Sequence, residues 1–111
     1  MQFKPINDRY AVAPQIEPGD LAAILAAGYR SVMCNRPDGE EPGQPTFAVI
    51  AAAAKAAGLV TRHVPVRSGH ITDDDGAAFA AAIAELPAPV FAYCRSGARC
   101  THLWAMLPQR G

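Results

Sequence analysis

The stretch PVFAYCRSGARCTHLW, from Pro89 to Trp104, carries the clearest structural signal in the sequence. An apolar segment rich in β-branched and aromatic residues ends at Cys94, as a buried strand would. Polar residues follow at once, and the apolar pattern resumes near Ala98. The stretch therefore predicts a strand, a tight turn through Gly97 and a helix, with a thiol where the strand ends.

The same alternation of strand and helix runs through the rest of the chain. Alanine-rich segments bounded by proline, threonine or glycine predict helices at 18–28, 45–58 and 72–87. Segments rich in β-branched or aromatic residues predict strands at 9–13, 30–35, 59–66 and 89–94. This order is typical of right-handed βαβ units. We therefore predict a single α/β domain over residues 1–111, with a mainly parallel sheet of four to five strands and helices on both faces.

This topology predicts where a ligand would bind. In parallel α/β sheets, ligands bind beyond the carboxyl ends of the strands. The segments that leave those ends span 14–20, 36–45, 67–73 and 94–99, and we expect them to meet along one edge. The polar candidates within them are Arg36, Asp38, Glu40, Arg67, Ser68, His70, Cys94, Arg95, Ser96 and Arg99.

Composition excludes several classes of protein. Lys and Arg together number 10, as do Asp and Glu, and this balance argues against nucleic-acid binding. No apolar run reaches the ~18 residues of a membrane-spanning helix, and the first residues lack the apolar centre of a secretory signal. The three cysteines are an odd number without an export signal, which favours reduced thiols and a cytoplasmic protein. The composition specifies no oligomeric state.

The residues after Cys94 predict an anion-binding loop. Backbone N–H groups of a turn that opens a helix have no intrahelical partners, and the helix N-terminus adds positive partial charge. Such a loop holds an anion or lowers the pKa of a cysteine. We therefore expect Cys94 to be a nucleophile, with Arg99 as a bidentate clamp for an oxyanion. Arg95, Ser96, Gly97 and Ala98 would form the cradle around a small anionic substrate.

Other residues leave alternatives open. Arg36 either binds the substrate anion or holds the acidic loop through an ion pair with Asp38 or Glu40. Cys100 is either a resolving thiol or a packing residue, and Cys34 is expected to be a small buried hydrophobe. We expect structural roles for His63 and His102. The cysteines lack paired zinc spacing, so neither a metal nor a cofactor is predicted.

Two motifs carry a family resemblance. YCRSGAR, with NRPDGEEPGQPTFAVIAAAAKAAGL upstream and HVPV between them, resembles the phosphatase-like domain of the beta-lactamase-hydrolase-like protein family, from about Tyr10 to Trp104. The resemblance implies a fold similar to the dual-specificity cysteine phosphatases. It also implies Cys94 as nucleophile, the 95–98 backbone as anion cradle and Arg99 as clamp. In some relatives the domain is fused to a metallo-hydrolase domain connected with sulfide metabolism.

The sequence departs from the phosphatase pattern in two places. Cysteine phosphatases place five residues between cysteine and arginine, whereas four separate Cys94 from Arg99, as in many rhodanese-type sulfurtransferases. The aspartate general acid of those phosphatases has no counterpart in VRSGHITDDD, where Asp73, Asp74 and Asp75 are predicted to begin a helix. His70 is the predicted proton donor, with Asp38 and Glu40 as alternatives.

Three functional hypotheses follow from these residues. The first is a cysteine-dependent phosphatase-like hydrolase that forms a phosphocysteine at Cys94 from a phosphomonoester. The second is a sulfurtransferase that carries a Cys94 persulfide. The third is a non-catalytic anion-binding module.

Overall fold

The structure of the protein, a computed structural model, describes residues 1–108. Its strands, in chain order, are β1 (Lys4–Asn7), β2 (Tyr10–Ala13), β3 (Ser31–Cys34), β4 (Val60–His63) and β5 (Val90–Tyr93). Its helices are α1 (Leu21–Ala26), α2 (Phe47–Ala57), α3 (Asp73–Glu85) and α4 (Ala98–Ala105), and a 3-10 turn (Pro18–Asp20) precedes α1. No helix within these residues is long and apolar enough to cross a membrane.

The strands form one sheet in the order β1-β2-β5-β3-β4. The pairs β2–β5, β5–β3 and β3–β4 are parallel, which confirms the predicted α/β topology. β1 was not predicted and pairs antiparallel with β2 at the edge of the sheet. Its sequence KPIN shows no apolar alternation, and only Ile6 is even partly buried. An edge strand tolerates Pro5 because one side of its backbone needs no partner.

Helices cover both faces of the sheet, as predicted. On one face, Ile24 of α1 and Ile50 of α2 pack in a buried cluster with Phe91 of β5. On the other face, Phe79 of α3 and Leu103 of α4 pack with residues of β2, β3 and β5. β2, β3 and β5 are therefore buried on both faces, which explains why their sequences are largely apolar without a polar alternation, whereas the edge strand β4 is only partly buried.

Local sequence signals set the helix ends. The Thr72 side chain accepts from Asp75 N, and the Asp75 carboxylate accepts from Thr72 N, so the predicted capping box is confirmed. Thr46 caps α2 at its start, and Gly58 ends that helix with a φ of 89°. The first predicted helix begins as a 3-10 turn rather than as α-helix. The strand predicted at 59–66 is shorter and spans Val60–His63, although Val64 N and Val66 N beyond it still donate to Cys34 O and Asn35 O.

The register of the sheet aligns the strand ends. Tyr93 lies opposite Ala13 on one side and Cys34 on the other, and Cys34 lies opposite His63. The loops that follow these four residues therefore leave the sheet at the same edge. They carry the polar residues that follow the predicted strands, Arg36, Ser68 and Arg95 among them.

Candidate active site

Cys94 lies at the end of β5, at the floor of a tight loop. Gly97 N donates to Cys94 Sγ at 3.0 Å, and Gly97 then begins α4 with a φ of 94°. A positive φ is strained for any residue with a side chain, so the turn requires glycine here. Tyr10 of β2 holds the helix in place, because its hydroxyl donates to Cys100 O at 2.9 Å. The backbone of the loop is thus wrapped around the sulfur.

The environment of Cys94 favours the thiolate. A hydrogen bond from the Cys100 thiol is the largest influence, and it lowers the pKa of Cys94 to about 5 although burial opposes this. The backbone N–H groups of Cys100, Ser96 and Gly97 lower the pKa further. Burial and the neighbouring Cys94 sulfur raise the pKa of Cys100 well above its ordinary value. These opposite shifts favour a Cys94 thiolate beside a protonated Cys100 thiol at neutral pH.

Removing the Cys100 thiol should raise the pKa of Cys94. In Cys100→Ala the largest stabilising influence on the thiolate is lost. Cys100→Ser keeps a hydroxyl donor, so the pKa of Cys94 in that variant should lie between the values in the wild type and in Cys100→Ala. A thiolate absorbs in the ultraviolet, so the pKa is measured by titrating this absorbance between about pH 3 and pH 8. In the control Cys94→Ser, the rise in absorbance at low pH that reports ionisation of Cys94 should be absent. If this rise occurs at the same pH in Cys100→Ala as in the wild type, the Cys100 thiol does not stabilise the Cys94 thiolate.

Arg99 follows the loop on the first turn of α4 and is almost completely buried. Its Nη1 and Nη2 donate to the two carboxylate oxygens of Glu40 at 2.9 and 2.8 Å, and Nη1 also donates to Val66 O at 3.0 Å. Hydrogen bonds from Arg99 are the largest influence on Glu40 and lower the pKa of its carboxyl to about 2. The two side chains therefore form a fully ionised pair beside the Cys94 loop.

Arg36 is a second arginine that contacts Glu40. Its side chain is 1 % exposed, and it donates to Glu40, Glu41 and Gln15 at 2.8, 2.8 and 2.9 Å. Of the two roles left open by the sequence, the structure thus has Arg36 hold the acidic loop. Its ion partners are Glu40 and Glu41, and not Asp38.

The backbone of Arg36 is held by two side chains from neighbouring strands. Its carbonyl oxygen accepts from Cys34 Sγ at 3.2 Å and lies 2.9 Å from His63 Nε2, and the His63 ring stacks on Phe47. These contacts give Cys34 and His63 the structural roles that the sequence predicted for them.

An open cleft of about 600 Å³ brings the charged residues together. It is lined by Arg36, Glu40, Glu41, Ser68, Arg95, Ser96, Ala98 and Arg99. The predicted convergence of the strand-end loops is therefore observed for three of the four loops. The fourth contributes through Gln15, whose side chain holds Arg36 rather than lining the cleft.

The three predicted proton donors have different surroundings, and their role as donors stays a prediction. Glu40 is hydrogen-bonded to two arginines, which lower the pKa of its carboxyl to about 2 and disfavour a proton on it. The Asp38 carboxylate accepts from Phe47 N at 2.8 Å and stabilises the start of α2. His70 is exposed and, like Asp38, is not among the residues that line the cleft. Arg67 is likewise exposed and outside the cleft lining.

Gln15 and Glu41 were missed as hydrogen-bond partners of Arg36. Ser68, a candidate by its position in the sequence, lines the cleft. Gln15 lies about twenty residues before Arg36, so nothing in the spacing links them. A second acid next to Glu40 was the one available signal, since a buried arginine needs more than one partner.

Metal ligation is a separate question for this site. Within residues 1–108, no three His, Cys, Asp or Glu side chains are grouped as metal ligands would be. Three arginines, Arg36, Arg95 and Arg99, line the cleft and bring N–H donors to it. Such donors hold anions rather than cations.

The fold and the loop define a class of protein. A mostly parallel sheet with helices on both faces, a cysteine at the end of a central strand and an arginine at the start of the next helix define the cysteine-phosphatase-like α/β domains. The chain belongs to one family within this class. Residues 2–110 match the family described as beta-lactamase hydrolase-like protein, phosphatase-like domain.

Curated relatives extend well beyond this domain. The chain is 41 % identical over 106 residues to the beta-lactamase hydrolase-like proteins of Agrobacterium fabrum and Xylella fastidiosa. The match covers 96 % of this chain and 25 % of each relative. The chain thus spans about a quarter of the length of the curated relatives it matches.

Solved structures share the fold. A Neisseria meningitidis protein described as a candidate phosphatase superposes with a TM-score of 0.85 at 36 % identity, over 91 % of this chain and 72 % of that one. Tk-PTP in its active form superposes with a TM-score of 0.60 at 17 % identity, over 86 % of this chain and 63 % of that one. The second likeness concerns the fold alone.

Proposed function

We propose that the domain hydrolyses phosphomonoesters through a covalent phosphocysteine at Cys94. The Cys94 thiolate attacks phosphorus, the bond from phosphorus to the ester oxygen breaks, and the leaving group departs with the electron pair. Water then attacks the phosphocysteine, which releases inorganic phosphate and restores the thiolate. Arg99 and the loop N–H groups stabilise the negative charge on the phosphoryl oxygens in both steps.

One observation carries this proposal. The Cys94 sulfur, with a pKa of about 5, lies at the floor of a loop that opens a helix, and Arg99 follows on the first turn of that helix. A nucleophile and oxyanion donors are thus combined within six consecutive residues. The relatives described as phosphatases or phosphatase-like support the same chemistry.

The two carboxylates of the cleft limit which leaving groups a substrate can have. Glu40 and Glu41 line the cleft, and arginine hydrogen bonds lower the pKa of both below the ordinary value. Neither acid carries a proton to donate at neutral pH. We therefore propose that the substrate is a small phosphate ester whose leaving group departs as an anion, such as a phenolate.

A neighbouring cleft supports this choice of leaving group. It measures about 430 Å³, borders the same loop at Ser96 and Ala98, and is lined in part by Phe3, Val12 and Pro14. Apolar side chains beside an oxyanion site suit the ring of an aryl ester. We further propose a cytoplasmic location, because a free Cys94 thiol, which the mechanism needs, persists in a reducing compartment.

Phosphate release should depend steeply on the leaving group. Without a proton donor, an aryl ester such as p-nitrophenyl phosphate should react faster than an alkyl ester by at least the ~10²–10⁴-fold that general acid catalysis typically supplies. The measurement is kcat/KM for phosphate release across a series of phenyl phosphates of graded phenol pKa and one alkyl phosphate. Equal kcat/KM values across the series would mean that a general acid exists.

Sulfur transfer is the second candidate, and a specific observation favours it. The four-residue spacing from Cys94 to Arg99 is that of many rhodanese-type enzymes, and the neighbouring Cys100 thiol lowers the pKa of Cys94. In this chemistry the Cys94 thiolate attacks the outer sulfur of thiosulfate, the sulfur–sulfur bond breaks, and sulfite leaves with the electron pair. The persulfide at Cys94 would then pass its outer sulfur to a thiol, without a general acid.

A further inference from the structure

We propose that Glu40 is a positioning residue, which orients the Arg99 guanidinium so that one of its edges stays available for two oxygens of the substrate anion. The inference rests on the proposed function only for the identity of that anion as a phosphate ester. It gives the acidic loop a role in substrate binding that neither its charge nor its sequence position indicates.

The hydrogen bonds of Arg99 identify the available edge. A guanidinium carries five N–H groups in a planar fork. Glu40 Oε2 and Val66 O take both N–H groups of Nη1, and Glu40 Oε1 takes one of Nη2. The Nε–H and the second Nη2–H lie on the remaining edge and have no acceptor among residues 1–108. Two parallel donors on one edge match two oxygens of a phosphate.

Glu40 is itself fixed in place. Its Oε1 accepts from Arg36 Nε at 2.8 Å as well as from Arg99 Nη2, so one carboxylate bridges two arginines. The loop backbone is tied as well, because Glu40 N donates to Gln44 Oε1 at 3.0 Å and Gln44 Nε2 donates to Pro37 O at 2.9 Å. The orientation of Arg99 is therefore set before substrate arrives, which is the condition for effective electrostatic stabilisation.

A carboxylate on an arginine could instead compete with substrate. In that case removing the carboxylate would strengthen anion binding, because a competitor and a repelling charge would both be gone. Positioning predicts the opposite sign, because Arg99 would lose its orientation. The division of the N–H groups favours positioning, since Glu40 occupies the Nη1–Nη2 edge and leaves the Nε–Nη2 edge open.

The test measures binding of inorganic phosphate by calorimetry in a Cys94→Ser background, where no covalent step interferes. Adding Glu40→Gln should weaken phosphate binding about tenfold or more, as expected when charge-assisted hydrogen bonds are misplaced. Glu40→Asp keeps the charge but is too short to bridge both arginines, and should also weaken binding. Glu41→Gln is the matched control, because it removes the same charge from the same cleft without touching Arg99. It should bind phosphate at least as tightly as its parent.

Each outcome decides the inference. Weaker binding in both Glu40 variants, with Glu41→Gln unaffected or tighter and thermal midpoints preserved, supports positioning. Unchanged or tighter binding in Glu40→Gln overturns it, and so does equal weakening in Glu41→Gln. If Glu40→Gln does not fold, the phosphate affinity of Glu40→Asp compared with that of Glu41→Gln decides the inference. Glu40-dependent phosphate binding in a protein that releases no phosphate would refute the phosphatase and leave this inference standing.

Discussion

Replacing Cys94 by serine should reduce phosphate release from p-nitrophenyl phosphate by about 10⁴-fold or more, as expected when a covalent nucleophile is lost. Serine preserves the size of the side chain and the hydrogen bond from Gly97 N, so the loop should remain folded. The hydroxyl is not ionised at neutral pH and cannot replace the thiolate. The measurement is the initial rate at saturating substrate, compared with the wild type.

Cys34→Ser is the control for this substitution. Cys34 is buried, and its Sγ donates to Arg36 O, so the exchange tests the loss of a buried thiol outside the loop. Phosphate release should then fall far less than in Cys94→Ser. Similar losses in the two variants would show that Cys94 acts through folding and not as a nucleophile.

Replacing Arg99 by lysine should lower kcat/KM by about 10²–10³-fold, the loss typical for one oxyanion donor. Lysine keeps the positive charge, but a single ammonium cannot bind Glu40, Val66 O and a substrate oxyanion in the same plane. Both the binding of the phosphoryl group and its stabilisation in the transition state should suffer. KM should therefore rise while kcat falls.

The thermal midpoint and phosphate affinity separate this effect from misfolding. Arg99 is 6 % exposed, and its loss leaves Glu40 with Arg36 as its remaining partner, so some destabilisation is expected. Arg62→Lys is the control, because Arg62 forms an exposed ion pair with Glu85 away from the cleft. A kcat/KM for Arg99→Lys within a fewfold of that control would contradict the role of Arg99 as the clamp.

Local sequence patterns were sufficient to predict most of the fold. Thr72 with Asp75, and Gly58 after an alanine-rich run, are signals that act within a few residues. The alternation of apolar strands and helices then specifies the parallel sheet. β1 escaped prediction because KPIN buries almost nothing, so its pairing depends on the neighbouring edge of β2 and not on its own residues.

The Cys94 loop could be predicted from sequence, whereas the network around Arg99 could not. Cys94, Gly97 and Arg99 belong to one strand–turn–helix unit, and its chemistry follows from their spacing. Glu40 reaches Arg99 across 59 positions of the chain, and Gln15 reaches Arg36 across 21. Such contacts depend on the register of β2, β3 and β5. The ionised state of Glu40 is a consequence of that register, and its position in the sequence does not indicate it.

The most direct test of the central claim is the intact mass of the protein after rapid acid quenching of its reaction with p-nitrophenyl phosphate. The wild type is also incubated with thiosulfate, and both incubations are repeated with Cys94→Ser. We predict one added phosphoryl group that is absent from Cys94→Ser, together with Cys94-dependent phosphate release. A gain of one sulfur atom at Cys94 from thiosulfate, with phosphate release no greater than that of the variant, would contradict the phosphatase and establish sulfur transfer.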